Sequence, residues 1–528
     1  MAVSADSVAP APAEEPAIEP VPTAASLELA AVAVGWETDA SVKNDKAGWE
    51  DASEIQYTYN PKEYPGSMYW VAQEVTGAGD FWTDGYTGDG VTVALVDSGV
   101  VPVNGLDAKD KVINGPDLSF ESQADNLRYL DTFGHGTHMA GIIAGRDGTG
   151  TVQEGDETRF LGIAPDARIL NVKVADMGGG TDVSQVIAAI VWVVEHRTDK
   201  GMDVRVLNLS YGTDGIQDYQ VDPLAHAVER AWKAGIVVVV AAGNDGNSNP
   251  LRNPAIDPYV IAVGSAHGNM THTADDDTLA DFSNCGTASR YVDLVAPGKS
   301  IVGLRNPGSY ADLHNPNAVV ANRYFLGSGT SQSAAVVSGA AALIIQQRPK
   351  ITPDQVKALL MQSAQDIDSS TRCQGAGMID LEAARNTTTP KAKQSWELSV
   401  PTGSLEKARG SYHVYDGKVA LEGEQDIMSN PWVPEERIKV TSRGASWTGG
   451  DWNGASWTGA SWSGASWSGA SWSGASWTGA SWSGASWSSK SWSGASWSGA
   501  SWSGASWSGA SWSGASWSGY VWQGLSWD

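Results

Sequence analysis

Three separated segments of the chain hold the residue types that hydrolyse peptide bonds. An apolar run at residues 91–96 ends on Asp97, His135 lies in a Gly-His-Gly-Thr-His stretch, and Ser331 follows Gly-Thr in a run of small residues. Hydrolysis of this kind needs a nucleophile, a base that takes its proton and a group that orients the base. Serine, histidine and aspartate fill those three roles near neutral pH. We therefore predict that Ser331, His135 and Asp97 form a catalytic triad.

A fourth segment, Ala-Ala-Gly-Asn244, offers a group that can stabilise negative charge in the reaction. The side-chain amide of Asn244 can donate a hydrogen bond to a developing oxyanion. The backbone N–H of Ser331 is the natural second donor if Ser331 opens a helix, because the first N–H groups of a helix lack partners within it. The sequence thus predicts an oxyanion hole made by Asn244 and the Ser331 N–H.

The elements that must position these residues alternate between strand and helix patterns. Short apolar runs predict strands at residues 91–96, 168–174, 204–209 and 236–240, and apolar residues at helical spacing predict a helix over 183–194. This alternation predicts an α/β fold with a mostly parallel sheet and helices on both faces. Because sites in open parallel sheets gather at the carboxyl ends of the strands, Asp97 and Asn244 are expected at one edge of the sheet.

The order Asp, His, Ser and the motifs around these residues resemble the subtilisin family over roughly residues 80–385. The resemblance implies a subtilisin-like serine endopeptidase that works through an acyl-enzyme and requires no cofactor for catalysis. It also implies that Ser210, Tyr211 and Gly212 pair with the substrate backbone as an added strand. The glycines at 178–180 would line the opposite side of the cleft.

The sequence departs from the family pattern in three places. Gln332 stands where the family usually has Met, and Ala335 and Val336 replace a common Pro-His pair. Residues 146–160 differ from the family's usual calcium loop. A structural calcium ion is therefore left open, and no residue is assigned to a metal site.

Each motif also has an interpretation without catalysis. Asp-Ser-Gly is most often a turn, and a serine among small residues usually only packs in a helix. His135 and His138 are three residues apart, which would suit a metal, but a zinc site needs a further ligand cluster and none is well placed. Because four segments agree in order, we favour the hydrolytic interpretation and predict that His138 is a packed, structural histidine.

The composition limits the partners and the location of the chain. With 34 basic and 60 acidic side chains the formal net charge is -26, which disfavours nucleic acid and anionic membranes. No stretch approaches the roughly 18 apolar residues of a membrane span. Met1 precedes a small-residue run that looks like the end of a signal peptide, so we expect a secreted or cell-surface protein. The two cysteines, Cys285 and Cys373, could form a disulfide or pack separately.

Composition shifts divide the chain into five predicted segments. Residues 1–35 form a Pro/Ala/Glu-rich arm expected to be disordered, and residues 36–84 a lead-in or short pro-segment. Residues 85–385 form the subtilisin-like peptidase domain. Residues 386–443 are a polar connector with a small β element around 412–421, and residues 444–528 form a Trp-repeat module.

The final segment repeats Gly-Ala-Ser-Trp-Ser or Gly-Ala-Ser-Trp-Thr and holds 17 of the 25 tryptophans of the chain. A five-residue period gives tryptophan no single face on a regular helix or on a flat strand. The repeat resembles a pentapeptide-repeat solenoid, and a β-solenoid, a Trp-stacked sheet and a flexible, sticky tail all stay open. A row of indoles predicts binding to a cell-surface polymer or self-association, although a plain stalk without a ligand also stays open.

These observations together predict a secreted endopeptidase that acts on protein or peptide substrates and is anchored or assembled by its Trp-repeat tail. Two alternatives stay open. The chain could be a structural or adhesive surface protein whose protease domain mainly matures itself, or a dedicated maturation protease for one partner. Intact motifs are common to all three, so only the range of substrates turned over distinguishes them.

Overall fold

The computed structural model describes residues 60–434, except 65, 123–126, 200, 216, 269–275, 417–418 and 428–430, together with two short strands near the end of the chain. An eight-stranded sheet forms the centre of the described part. Its strands are β1 Thr92–Asp97, β2 Val112–Asp117, β3 Arg168–Lys173, β4 Val204–Leu209, β5 Val237–Ala241, β6 Ile261–His267, β7 Thr278–Leu279 and β8 Leu294–Pro297.

The strands of this sheet run in the order β2-β3-β1-β4-β5-β6-β7, and β8 also pairs with β6. All the pairs are parallel except that of β6 with β7. The mostly parallel α/β sheet expected from the sequence is therefore confirmed. A second, antiparallel sheet has the order β10-β11-β9, with β9 Ile301–Leu304, β10 Val319–Val320 and β11 Tyr324–Gly327.

Helices connect and cover these strands. They are α1 Ala78–Thr83, α2 His135–Ala144, α3 Val183–His196, α4 Pro223–Lys233, α5 Tyr310–His314, α6 Thr330–Gln347, α7 Pro353–Ser363, α8 Thr371–Gln374, α9 Leu381–Asn386 and α10 Leu405–Arg409. Pro61–Glu63 and Pro316–Ala318 form 3-10 turns, and Trp70–Val75 is a π-helical turn.

Local signals in the sequence set the ends of several helices. Thr352 caps α7 in a capping box with Gln355. Asp182 caps α3 in a second capping box, and its side chain accepts a hydrogen bond from the N–H of Ser184. The long helix α6 starts after Gly329, is buried over almost its whole length, and packs against β4, β5, β6 and β8. Ser331 is therefore held on a rigid element that crosses the sheet.

Residues that precede β1 and residues that follow α9 pack against the same hydrophobic core as the sheet. Before β1, Phe81 and Trp82 are buried, and the Trp82 indole donates to the carbonyl of Ile163 at 3.0 Å. After α9, residues 405–432 place Leu405 and Trp432 in the core. The segment predicted as a connector thus lies against the domain, and it holds the expected small β element, β12 Tyr415–Asp416 paired with β13 Val419–Ala420. The five segment boundaries stay a prediction.

The predicted disordered arm and most of the predicted Trp-repeat module lie outside the described residues. Within the repeats, β14 Ala485–Ser486 pairs with β15 Ser496–Trp497. Among the described residues, no helix combines the length and the apolar character needed to cross a bilayer.

Candidate active site

Asp97 and His135 form a buried pair at the carboxyl end of β1. Asp97 is the last residue of that strand, and His135 is the first residue of α2. The His135 Nδ1 atom lies 2.7 Å from Asp97 Oδ1, and both side chains are almost fully buried. A side chain at Gly136 would place its Cβ atom 2.1 Å from the carbonyl oxygen of Gly99, so only glycine allows α2 to start this close to the turn after β1.

A second buried carboxylate, Asp131, holds the ends of β1 and α2 together. The Ser98 hydroxyl donates to Asp131 Oδ1 at 2.7 Å and accepts from the N–H of Gly136 at 3.0 Å. Asp131 also accepts from the N–H groups of Gly134 and Thr137 at 2.7 and 2.8 Å. Burial raises the pKa of Asp131 despite these hydrogen bonds. Sequence reasoning missed Asp131; a carboxylate four residues before His135 was the only signal available.

The buried ammonium group of Lys173 binds the backbone of the turn that follows Asp97. Lys173 is the partner of Asp97 in the β1–β3 register, and it donates to the carbonyl oxygens of Ser98 and Leu130 at 2.9 and 2.6 Å. Its burial disfavours the charged form, but the Glu121 carboxylate at 2.8 Å and other acidic groups outweigh that effect and raise the pKa of Lys173. This buried cation therefore fixes the backbone immediately after Asp97.

Ser331 and Asn244 are joined through Thr330. The Asn244 Oδ1 atom accepts from the backbone N–H of Thr330 at 2.8 Å and from its hydroxyl at 3.0 Å. Because these bonds hold the amide oxygen, the NH₂ group of Asn244 points away from Thr330 and is available as a donor. Ser331 is the second residue of α6, where backbone N–H groups lack acceptors within the helix. These contacts hold Asn244 next to the start of α6, where Ser331 lies.

A loop clamp made by Asn284 holds the Asn244 segment. The Asn284 Oδ1 atom accepts from the N–H of Asp245 at 2.6 Å, and the Asn284 N–H donates to the carbonyl of Gly243 at 3.0 Å. The adjacent residue, Cys285, forms a disulfide with Cys373, which settles the choice that the sequence left open. Asn284 thus shapes the loop that carries Asn244.

Ser210, Tyr211 and Gly212 directly follow β4. The Ser210 hydroxyl donates to the backbone carbonyl of Ser331 at 3.2 Å, and the Tyr211 side chain is buried. Since β1, β4 and β5 are neighbouring parallel strands, Asp97, Ser210 and Asn244 emerge at one edge of the sheet. Helix α2, which starts with His135, packs against α6. The structure thus places His135 against Asp97 and Ser331 against Ser210, and the helices that carry His135 and Ser331 pack together.

The glycines at 178–180 are held by a buried carboxylate. Asp176 Oδ1 accepts from the N–H groups of Gly178 and Gly180 at 2.9 and 2.8 Å. Burial, reinforced by the nearby Glu121 carboxylate, raises the pKa of Asp176 to about 7.

Arginine side chains tie the loop at residues 146–160 together. Arg159 donates to the carbonyl oxygens of Gly150 and Thr151 at 3.1 and 2.7 Å, and Arg146 also donates to Gly150 at 2.7 Å. These carbonyl oxygens thus accept hydrogen bonds from guanidinium groups. Over the described ranges, no three His, Cys, Asp or Glu side chains form a group that could hold a metal. His138 is fully buried, and burial lowers its pKa to about 3, as expected of a packed histidine.

Comparison with known proteins agrees with the class of enzyme that this sheet and site suggest. The profile of the Subtilase family, Peptidase_S8, matches residues 88–378. Serine protease AprX of Bacillus subtilis (strain 168) is 35% identical over 342 residues, which cover 63% of this chain and 74% of that protein. Subtilisin DY of Bacillus licheniformis is 32% identical over 303 residues, which cover 57% and 92%.

Two further matches are similar. Minor extracellular protease Epr of Bacillus subtilis (strain 168) is 31% identical over 305 residues, which cover 57% of this chain and 39% of that protein. The crystal structure of a cold adapted subtilisin-like serine proteinase is 26% identical, with a TM-score of 0.45, and the match covers 60% of this chain and 98% of that one.

The chain belongs to the subtilase family and is a serine endopeptidase. Catalysis by this family needs no cofactor.

Proposed function

We propose that Ser331 is the nucleophile, His135 the general base and acid, and Asp97 the group that orients His135. The observation that carries this proposal is the buried contact of 2.7 Å between His135 Nδ1 and Asp97 Oδ1. A carboxylate at Nδ1 keeps the proton there, so the lone pair of the imidazole is on Nε2. The same carboxylate stabilises the imidazolium that forms during the reaction.

Each half of the reaction then moves one proton through His135. In the first half, Nε2 takes the hydroxyl proton of Ser331 as Oγ bonds to the scissile carbonyl carbon, and the negative oxygen is held by the Asn244 NH₂ and the Ser331 N–H. The intermediate expels the amine, which receives the proton from Nε2, and the acyl-enzyme remains. In the second half, Nε2 takes a proton from water as the water attacks, and returns it to Ser331 Oγ.

The substrate is an extended peptide that pairs with residues 210–212. These residues continue from β4, and the Ser210 hydroxyl contacts the Ser331 carbonyl at 3.2 Å. A backbone that pairs here is carried directly to the start of α6. Main-chain pairing makes affinity largely independent of sequence, so protein and peptide substrates are the expected partners.

A fluorophosphonate probe tests the assignment of the nucleophile. The purified, processed enzyme should be labelled on Ser331, and the Ser331→Ala variant should be neither labelled nor active. Ser333, two residues further along the same helix, is a matched control: its hydroxyl donates to the Ala296 carbonyl at 2.9 Å, so Ser333→Ala should keep its label. Absence of labelling in a folded wild-type chain would overturn the proposal.

We infer that the enzyme is secreted or exposed at the cell surface. The Cys285–Cys373 disulfide supports this location, because such bonds persist in oxidising compartments. A similar protein is named an extracellular protease. Fractionation of the producing cells, with a blocking reagent for free thiols, tests both the location and the oxidation state.

The Trp-repeat tail is proposed to anchor or assemble the enzyme through a surface polymer or further copies of itself. Its 17 regularly spaced indoles support this role. Mass spectrometry of both ends of the mature chain shows whether the tail stays attached. Sedimentation of the full chain with purified wall polymer, compared with a chain ending before residue 444, then separates polymer binding from self-association.

The range of substrates distinguishes a general protease from the alternatives. Digestion of a mixed peptide library should yield many cleaved sequences. Cleavage of one sequence alone would favour a dedicated maturation protease, and failure to turn over any protein in trans would favour a self-maturing structural protein.

A further inference from the structure

A segment beyond the region matched by the family profile grips both sides of the proposed substrate cleft. It consists of residues 405–414 and 420–427, which we call the clasp. It starts with α10, which packs against α3 and α4. Leu405, Ala408 and Val414 of the clasp are fully buried in the main core. The clasp is therefore a built part of the domain.

The clasp first contacts Asp182, the residue that caps the N-terminus of α3. The Arg409 guanidinium is fully buried, and its Nε donates to Asp182 Oδ2 at 2.6 Å. Its Nη1 donates to Glu406 Oε2 at 3.0 Å and to the Gly423 carbonyl at 2.7 Å, and its Nη2 donates to the Gln425 carbonyl. One planar cation thus ties both arms of the clasp to Asp182. Asp182 follows the glycine edge at 178–180 by two residues.

The clasp also contacts Thr213 and Asp214, which directly follow residues 210–212. The Thr213 hydroxyl donates to the Ala408 carbonyl at 2.6 Å, inside the protein. The Asp214 carboxylate accepts from the Ser411 N–H at 2.7 Å and from the Ser411 hydroxyl at 2.6 Å. These bonds start one residue after Gly212, so the clasp sets the position of the strand end.

Tyr211, two residues before Thr213, lies near the Asp182–Arg409 pair. Its side chain is buried, and its pKa is raised by that burial and by the Asp182 carboxylate, whereas Arg409 opposes the rise. The phenol therefore lies within electrostatic range of the Asp182–Arg409 pair, and the backbone on either side of it belongs to Ser210 and Gly212.

We propose that Arg409 is a positioning residue that holds residues 210–212 in register for an extended substrate. It acts through Asp182 and, by way of the carbonyl of the adjacent Ala408, through Thr213, and it touches neither the substrate nor the reacting atoms. The inference rests on the proposed function, since it assigns a purpose to the strand that the mechanism uses. It places the determinant of substrate binding about 80 residues after the nucleophile in sequence.

Two substrates, each assayed with the full chain, distinguish a positioning role of Arg409 from a catalytic role. A tetrapeptide anilide must pair with residues 210–212, whereas p-nitrophenyl acetate has no peptide backbone to pair and needs only the nucleophile, base and oxyanion donors. For Arg409→Gln we expect kcat/KM on the tetrapeptide to fall about tenfold or more, mainly through KM. Ester hydrolysis and fluorophosphonate labelling should stay within about twofold of wild type, because their machinery is untouched.

Three further variants complete the experiment. Asp182→Asn keeps an oxygen to cap α3 but removes the charge that Arg409 faces, so it should reproduce the split between substrates. The paired variant Asp182→Asn/Arg409→Gln leaves no unbalanced buried charge, and it keeps the test valid if Arg409→Gln alone does not fold. Arg372→Gln changes an exposed arginine and should alter neither activity.

The outcomes are distinct from those of the proposed function. The inference is wrong if the wild-type enzyme hydrolyses both substrates while the folded Arg409→Gln and Asp182→Asn/Arg409→Gln variants keep the wild-type KM for the tetrapeptide. Equal losses on ester and tetrapeptide would also overturn it, because they indicate general damage. If wild type hydrolyses neither substrate and takes no label, the proposed function itself fails.

Discussion

Replacement of Asn244 by alanine tests the oxyanion hole through two separable effects. The amide oxygen accepts two hydrogen bonds from Thr330, at 2.8 and 3.0 Å, and these hold the loop to the start of α6. The amide nitrogen is proposed to donate only to the oxyanion. Asn244→Ala removes both functions, whereas Asn244→Asp keeps the oxygen and removes the donor.

The sizes of the two effects follow from these contacts. Loss of one oxyanion donor raises the barrier by about 2.7–4 kcal/mol, the range measured for such a donor in a related enzyme, so kcat should fall about 10²–10³-fold with little change in KM. Loss of two hydrogen bonds to Thr330 should lower the free energy of unfolding by about 1–3 kcal/mol, at about 0.5–1.5 kcal/mol each. Asn244→Asp should lose at least as much kcat, because its charge repels the oxyanion, but should lose less stability.

Steady-state kinetics on a tetrapeptide anilide measures kcat and KM separately. Denaturant unfolding should be measured with Ser331→Ala added to each variant, because self-digestion would otherwise distort the curves. A loss of less than about threefold in kcat for folded Asn244→Ala, which corresponds to about 0.7 kcal/mol, would refute the oxyanion role of Asn244. A loss in KM alone would also refute that role, because weaker ground-state binding would then explain it.

Two further predictions concern stability. Because the pKa of Asp176 is raised to about 7 from 3.8, this group favours the folded state most at low pH, and its contribution of at most about 4 kcal/mol is lost as pH rises from about 4 to 7. The Asp176→Asn variant should therefore show a smaller change in the free energy of unfolding over that pH range. An unchanged pH dependence in parallel denaturant titrations of the variant and the parent would contradict the shift. The Cys285–Cys373 disulfide closes a loop of 88 residues, which limits the freedom of the unfolded chain, so the double Cys→Ser variant should lose about 4–5 kcal/mol of unfolding free energy. If the denaturant midpoint of the parent is the same with and without reductant, the bond does not form.

Most of the elements that carry the proposed site residues were predictable because their signals are local. A β-branched run at 236–240 is a buried strand wherever it lies, and the residues after it must emerge at the carboxyl end. The capping box at Thr352 and the small residues after Ser331 set helix starts in the same way. Motif order then related four segments to one family, and the structure brought Asp97 and His135 into contact as expected.

Contacts between distant segments were not predictable in this way. Nothing near Asp131 marks it as the acceptor for Ser98, and nothing near Arg409 marks it as the partner of Asp182, 227 residues earlier. The segment that holds Arg409 reads as a polar connector, because its few apolar residues follow no regular period. Only the folded chain shows that these residues fill space beside α3 and α4.

The sequence by itself thus determined which residues can do chemistry and which elements present them, because both depend on side-chain type and short-range periodicity. The tertiary structure decided how those elements are held: the disulfide at Cys285, the cation beneath Asp97, and the clasp around residues 210–214. A buried charge is destabilising unless an oppositely charged or hydrogen-bonding partner accompanies it, and for Arg409 one such partner is Asp182, 227 residues earlier in the chain. That pairing is a property of the packed molecule, and no stretch of sequence contains it.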